Sequence, residues 1–287
     1  MRRLPDFVII GAMKCATSTL HDQLAMQPGL FMSTPKEPCF FSNNDVWGKG
    51  LQWYSSLFAN AKEGDLCGES STHYTKLPTY PQTLDRMQAT IPHAKLIYVI
   101  RHPIDRLISH YIHDWSENLI RDSVNDAIHG YPDLVNYSRY AMQIQPFLDT
   151  YGPDKVLLVF FERMTAKPQL EFERICQFLK YSGNPKWETD HATNISEKRL
   201  RKSSLRDAIV LNPLVTMLRR RLVPQSFRDS IKTRWQMKER PKISDENQNL
   251  LERVFDEDLM NLSGLMGIEV NCRNFKETAS EFVPVWQ

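Results

Sequence analysis

Three short, unbroken apolar runs constrain this chain more than any other feature: FVII at Phe7–Ile10, LIYVI at Leu96–Ile100 and VLLVFF at Val156–Phe161. Charged or loop-forming residues bound each of them, and none alternates apolar with polar side chains. A strand with one solvated face alternates, so continuous runs of this length imply strands buried on both faces of a parallel sheet. Weaker strand signals lie at 65–68 and near Leu30–Met32. Helical patterns fill the gaps, over 18–27 after the first run, 81–89 before the second and 103–115 after it, then 140–150 and 169–180 around the third. Pro103 and Asp105 suit a helix's first turn. This alternation predicts right-handed βαβ units. A last amphipathic helix is predicted over 245–265, where Leu250, Leu251, Val254, Phe255, Leu259 and Leu262 recur at helical intervals behind Ser244 as N-cap. The Arg- and Lys-rich stretch 186–242 receives no assignment.

With 287 residues, no internal repeat and no visible boundary, the chain is expected to form one α/β domain over 1–287. The expected fold class is a P-loop-like parallel sheet flanked by helices. Its 41% hydrophobic content suffices for a core, and a net charge of +2 gives no bulk case for nucleic acid or an anionic membrane. The five cysteines are scattered, without a CxxC pair, so neither a metal site nor a disulfide framework is indicated and a reducing compartment fits. At the N-terminus the apolar stretch Phe7–Met13 is short and flanked by Asp6 and Lys14, which reads as a buried strand and not a signal peptide. No run approaches the ~18 residues of a membrane helix. A soluble cytoplasmic protein is the expectation, with oligomeric state open.

The first chemical signal is FVIIGAMKCATSTL, which puts Gly11–Thr17 between a strand and a helix. Such a turn presents backbone N–H groups and the positive end of a helix dipole to a phosphate or sulfate. Lys14 adds a cation, and Thr17, Ser18 and Thr19 add hydroxyls; an ordinary surface turn is the alternative. The triphosphate-binding pattern GxxxxGK[ST] is absent, because Ala16 and Thr17 stand where it needs Gly-Lys. The second signal is LIYVIRHPIDRLISHY. Arg101 ends a buried strand, where ligands of open α/β sheets bind, and Ser109 follows two turns along the next helix. Arg101 suits bidentate phosphate contacts, with Arg106 as competitor and an ion pair to Asp105 as the structural alternative.

Together these segments resemble the sulfotransferase superfamily, in particular its heparan-sulfate-type and bacterial branch. Lys14-Cys15-Ala16-Thr17 is similar to the family's Lys-x-Gly-Thr loop, and Arg101, Pro103 and Ser109 to its Arg-x-Pro followed by serine. In order along the chain, Lys36-Glu37-Pro38-Cys39-Phe40-Phe41 resembles Lys-Glu-x-His-Phe-Phe, and Gly68-Glu69-Ser70-Ser71 resembles Gly-Glu-x-Ser/Thr. Phe161-Glu162-Arg163-Met164, Pro168 and Phe178-Leu179 resemble the later strand–helix pattern. The departures are Ala16 for glycine, Cys39 for histidine and Ser70 where some glycan-acting members carry lysine.

The resemblance implies sulfuryl transfer from 3′-phosphoadenosine 5′-phosphosulfate (PAPS) to a small-molecule or glycan acceptor, with no metal. It implies that Lys14, Thr17, Ser18, Thr19 and the backbone of Cys15 and Ala16 hold the 5′-phosphosulfate, and that Arg101 and Ser109 hold the 3′-phosphate. Lys14 would neutralise the leaving phosphate. Glu37 is the leading general base, its basicity expected to gain from burial beside Phe40 and Phe41; the alternative is a helix-turn or loop carboxylate paired with Lys36 or another cation. His110, His113 and His73 are further base candidates, and Glu69 an orienting group. The basic stretch 198–202, including Arg199 and Lys202, is expected to reach the donor. Trp47, Trp53 and Tyr54 either line the acceptor mouth or pack in the core. Competing readings are a P-loop-type nucleotide kinase, a catalytically inactive nucleotide-binding module and a nucleic-acid binder using the clusters at 198–202 and 219–221. The first needs a Gly-Lys-Ser/Thr loop that is missing, and the last lacks a motif and a strongly basic charge.

Overall fold

The computed structural model describes residues 3–189 and 239–287. Five parallel strands form one sheet: β1 (Phe7–Gly11), β2 (Leu30–Met32), β3 (Leu66–Ser70), β4 (Lys95–Ile100) and β5 (Val156–Phe160), in the order β2-β3-β1-β4-β5. All three continuous runs and both weaker signals are strands. Every residue of β1 is buried, as are Leu96 to Ile100 of β4. Neighbouring side chains on a strand point to opposite faces, so both faces of the central strands are covered. The core runs through these strands to the helices that flank them.

The long helices fall where the periodicity places them: Thr17–Ala25, Thr83–Thr90, Pro103–Ser116, Tyr140–Tyr151, Pro168–Leu179 and Asp245–Met266. Ser244 caps the last of these, its hydroxyl accepting from the Asn247 N–H. His102 caps Pro103–Ser116 and Pro103 takes the first helical position, where its missing N–H leaves no bond unmade. Shorter helical pieces, including Gly50–Ser56, Phe161–Ala166 and the 3₁₀ turn Thr72–Thr75, carry no strong periodicity and were not expected. Phe161, read as the end of the third apolar run, opens a helix instead.

The strand order positions the site. From β1 the chain crosses to the β2 edge and returns to β3, then passes over β1 to reach β4. Connections therefore leave the sheet in opposite directions around β1, and a crevice opens beyond the carboxyl ends of β3, β1 and β4. Ligands of open α/β sheets bind at such a switch point. Strand packing here is close. A Cβ on Gly68 would lie 2.2 Å from the Phe7 ring and 2.6 Å from Met32 Sδ, which explains the glycine of the Gly-Glu-Ser-Ser segment.

Candidate active site

A cavity of about 800 Å³ occupies this crevice, and the segment following each of the five strands contributes to its wall. After β1 come Met13, Lys14, Ala16, Thr17, Ser18 and Thr19; after β2, Glu37; after β3, Thr72, His73, Lys76, Thr79 and Tyr80; after β4, Arg101, Ser109, His110, His113 and Asp114; after β5, Phe161. The lysine loop and the arginine strand end thus meet in one space, although 87 residues separate Lys14 from Arg101 (101 − 14).

The loop after β1 reverses through left-handed backbone at Lys14 (φ 72°) and Ala16 (φ 60°). Ala16 precedes the Thr17–Ala25 helix as its N-cap and offers no side-chain acceptor. The N–H groups of Thr17, Ser18 and Thr19 consequently have no intrahelical partner and sit at the positive end of the dipole. Cys15 differs from its neighbours. Its side chain is fully buried, burial pushes its thiol up to about 12, and its N–H donates to Ala12 O at 3.2 Å. The cysteine closes the loop from the inside and is not among the cavity-lining residues.

Arg101 lies with its guanidinium 4.8 Å over the Phe161 ring. The expected alternative, a pair with Asp105, does not form, because Asp105 binds Arg240 at 2.6 Å and Lys276 at 2.7 Å. Arg106 drops out as a phosphate candidate. It is 0% exposed, bonds Ser138 Oγ and Leu134 O, and so fastens the 134–138 segment to the helix. Glu162 accepts the His102 N–H at 2.9 Å and ties the ends of β4 and β5 together.

A family model described as the sulfotransferase family matches residues 54–185. The human bifunctional heparan sulfate N-deacetylase/N-sulfotransferase 2 is 27% identical over 210 residues, covering 62% of this chain and 22% of its own length. The mouse heparan sulfate glucosamine 3-O-sulfotransferase 3A1 is 28% identical over 187 residues, covering 62% and 46%. The chain is thus similar in sequence to the sulfotransferase family. It spans less than half the length of these two relatives. Two solved sulfotransferases share the fold. One, from Alicyclobacillus acidocaldarius, has a TM-score of 0.67 at 20% identity and covers 93% of this chain and 98% of its own. The other, a mouse enzyme complexed with PAP, has a TM-score of 0.54 at 15% identity and covers 98% and 90%.

In this site Glu37 reaches the cavity, with left-handed backbone (φ 57°) and its N–H on Ser70 O. Lys36 Nζ sits 2.7 Å from Oε1, and Thr72 Oγ1 lies 3.3 and 3.2 Å from the two oxygens. Burial pushes the carboxyl pKa up, but the Lys36 charge and these hydrogen bonds outweigh it and hold it below the ordinary value. The expectation that burial beside Phe40 and Phe41 raises its basicity is therefore corrected. His110 also faces the cavity, with Nε2 3.2 Å from Asp114 Oδ2 and the ring stacked on Tyr137. Burial lowers its pKa to about 4, so it is a neutral imidazole near pH 7, and its Nδ1 has no partner. His73 lines the cavity beside Tyr80 and is likewise pulled to about 4, chiefly by burial.

Other expectations need correction. Glu69 is fully buried, bonded to the Tyr54 hydroxyl, and orients neither Lys14 nor a ligand. Trp47, Trp53 and Tyr54 follow the core reading of the two expected for them: they belong to an aromatic cluster around Phe40, with Phe40 and Tyr54 stacked at 4.3 Å, and none lines the cavity. Ser70 is buried against His21 Nδ1 at 2.9 Å. Arg199, Lys202 and the rest of 198–202, with 219–221, lie outside the described residues. Sequence reasoning missed Lys76, Asp114, Tyr137 and Arg240, all lining the cavity. It also missed the trio Glu37, Cys39 and His73, whose donor atoms lie within 4.8 Å of one another. A divalent ion there would compete with Lys36, which already pairs with Glu37.

Proposed function

We propose that this chain, read as one domain over 1–287, transfers the sulfuryl group of PAPS to the hydroxyl or amine of a small-molecule or glycan acceptor. One observation carries the proposal: an anion-binding helix start, a strand-end arginine and an ionised carboxylate converge on one cavity of about 800 Å³. That volume is within the range of sites for drug-sized ligands. Lys14 and the N–H groups of Thr17, Ser18 and Thr19 take the 5′-phosphosulfate, and Arg101 with Ser109 takes the 3′-phosphate.

In the reaction the bond from sulfur to the phosphate oxygen breaks while a bond from sulfur to the acceptor oxygen forms. Charge grows on the leaving phosphate, where Lys14 and the helix N-terminus stabilise it. The acceptor proton passes to Glu37. A carboxylate of lowered pKa is a weak base, and this suits a loose, in-line transfer. When little bond to the nucleophile exists at the transition state, its proton becomes acidic late and needs little pull. His110 is the second base candidate, supported by its place in the cavity wall and its orientation through Asp114.

No helix among the described residues is long and apolar enough to cross a membrane. All five cysteines are free, four of them buried, which supports placing the chain in a reducing, cytoplasmic setting. The relatives named as heparan sulfate N- and 3-O-sulfotransferases support a glycan hydroxyl or amine as one acceptor class. The test is transfer of labelled sulfate from PAPS into a panel of acceptors and cell extract, with mass identification of the product. Lys14→Ala and Glu37→Gln should each lower turnover about a hundredfold, the scale of a positioned acid–base or oxyanion group. Absence of transfer to every acceptor, or wild-type rates in both variants, refutes the assignment.

A further inference from the structure

We propose that Lys76 is a catalytic residue of this site, its ammonium donating to a sulfuryl oxygen as the group passes from donor to acceptor; this rests on the sulfuryl-transfer reading above.

Lys76 is 9% exposed and lines the cavity, yet no described residue accepts a hydrogen bond from its Nζ. The Tyr137 ring lies 5.4 Å from Nζ. An ammonium that faces a cavity without a protein acceptor is available to a ligand oxygen. Burial draws its pKa down, and the carboxylates of Glu37 and Asp114 draw it back up. Those two, with Cys39 and Arg106, are the charged or titratable groups that bear on it most. Lys76 and the proposed base Glu37 thus line one cavity and interact through their charges.

The backbone holds it there from both sides. Thr75 Oγ1 donates to Ile10 O at 2.9 Å, in the last turn of backbone before the lysine loop. Gly11 permits this approach, since a Cβ on it would lie 1.9 Å from Thr75 Oγ1. On the other side, Leu77 N–H donates to Gln143 Oε1 at 2.8 Å and Leu77 O accepts from Gln143 Nε2 at 2.9 Å. Gln143 is itself fully buried. With both flanking residues fastened, the ammonium is aimed before substrate arrives, and such preorganised charge acts most strongly on a transition state. Lys14 and Lys76 then enter the cavity from the ends of adjacent strands, β1 and β3. The first meets charge on the leaving phosphate and the second meets charge on the transferring group. Lys76 keeps its proton throughout; the acceptor's proton goes to Glu37.

The test compares wild type, Lys76→Met and Lys76→Arg in labelled transfer from PAPS, alongside calorimetry with the product bisphosphate and with inorganic sulfate added to the bisphosphate-saturated protein. Lys76→Met should lower kcat about a hundredfold, leave bisphosphate affinity within about twofold and weaken sulfate binding to the saturated protein at least about tenfold. Lys76→Arg should recover part of both losses. Met turnover within about threefold of wild type overturns the role, as does a kcat loss matched by an equal loss of bisphosphate affinity. A wild-type protein that transfers nothing fails the parent reading and this one together; an active wild type with an equally active Lys76→Met fails this one alone.

Discussion

Truncation of Arg101 probes the donor site most directly, because the structure supplies both the expected loss and its control. The guanidinium rests over Phe161 and is not engaged by Asp105, which Arg240 and Lys276 already occupy. Binding a 3′-phosphate therefore breaks no ion pair with that carboxylate. Two parallel hydrogen bonds between charged groups contribute about 1.5–3 kcal/mol each. Arg101 is only half-buried, so solvent screening removes part of that, leaving about 3 kcal/mol or roughly 150-fold in affinity. Arg101→Ala should lose this factor for 3′-phosphoadenosine 5′-phosphate. Arg101→Lys keeps a point charge without the fork and should lose about tenfold. The control is adenosine 5′-phosphate, which lacks the 3′-phosphate and should bind wild type and both variants within about twofold. Titration calorimetry at fixed ionic strength reads all six affinities. Equal weakening of both nucleotides in Arg101→Ala would mean that the strand end collapsed or that Arg101 holds the 5′ end. Unchanged bisphosphate affinity would remove Arg101 from the site. Either result refutes the assignment of this strand end to the 3′-phosphate.

Two further outcomes follow from the same geometry. With Glu37 as the proposed base, activity requires it unprotonated; its folded pKa lies below the ordinary 4.5, so activity should be retained down through neutral pH and lost only as pH falls through that depressed value. His110 and His73 near 4 shift in the same direction. The acid limb of kcat/KM should accordingly lie below about pH 5, and a limb between about 6 and 7 would show that none of the three is the base. Ala16→Gly should stabilise the fold, because a left-handed alanine costs about 1 kcal/mol that glycine avoids, partly offset by glycine's greater unfolded-state entropy. A rise of roughly 1–2 °C in the thermal midpoint is expected, and a fall would show that the loop does not hold this conformation.

The half of the cavity proposed to take the donor was legible as a cluster of cavity-lining residues because its determinants are local. A buried strand, a short turn and a helix start are consecutive in sequence, so FVIIGAMKCATSTL and LIYVIRHPIDRLISHY each announce where their cations must lie. What the sequence did not reveal in these segments was side-chain direction. Cys15 and Arg106 sit beside loop and helix positions that face the cavity, yet both turn inward, where burial and the contacts of Ser138 and Leu134 hold them.

The acceptor half was poorly legible for the opposite reason. Lys76 looks like an ordinary lysine before a proline, two residues on, in LPTYP; its significance comes from Ile10 and Gln143, 66 and 67 residues away (76 − 10 and 143 − 76), which fasten its neighbours. The basicity of Glu37 was misjudged because burial, which the flanking phenylalanines advertise, acts against an adjacent Lys36 whose side chain folds back onto the carboxylate at 2.7 Å. These are tertiary facts, and a change at Gln143 should alter the acceptor half while leaving the donor half untouched. The division has a consequence for specificity. A site whose donor side is encoded in two contiguous segments, and whose acceptor side is assembled from the loops after β2 and β3 and the helix after β4, can change its acceptor by loop substitution without rebuilding the phosphate grip. The three departures from the family pattern divide along that line: Cys39 and Ser70 fall in the segments that build the acceptor side, whereas Ala16 alters only the backbone freedom of the donor loop.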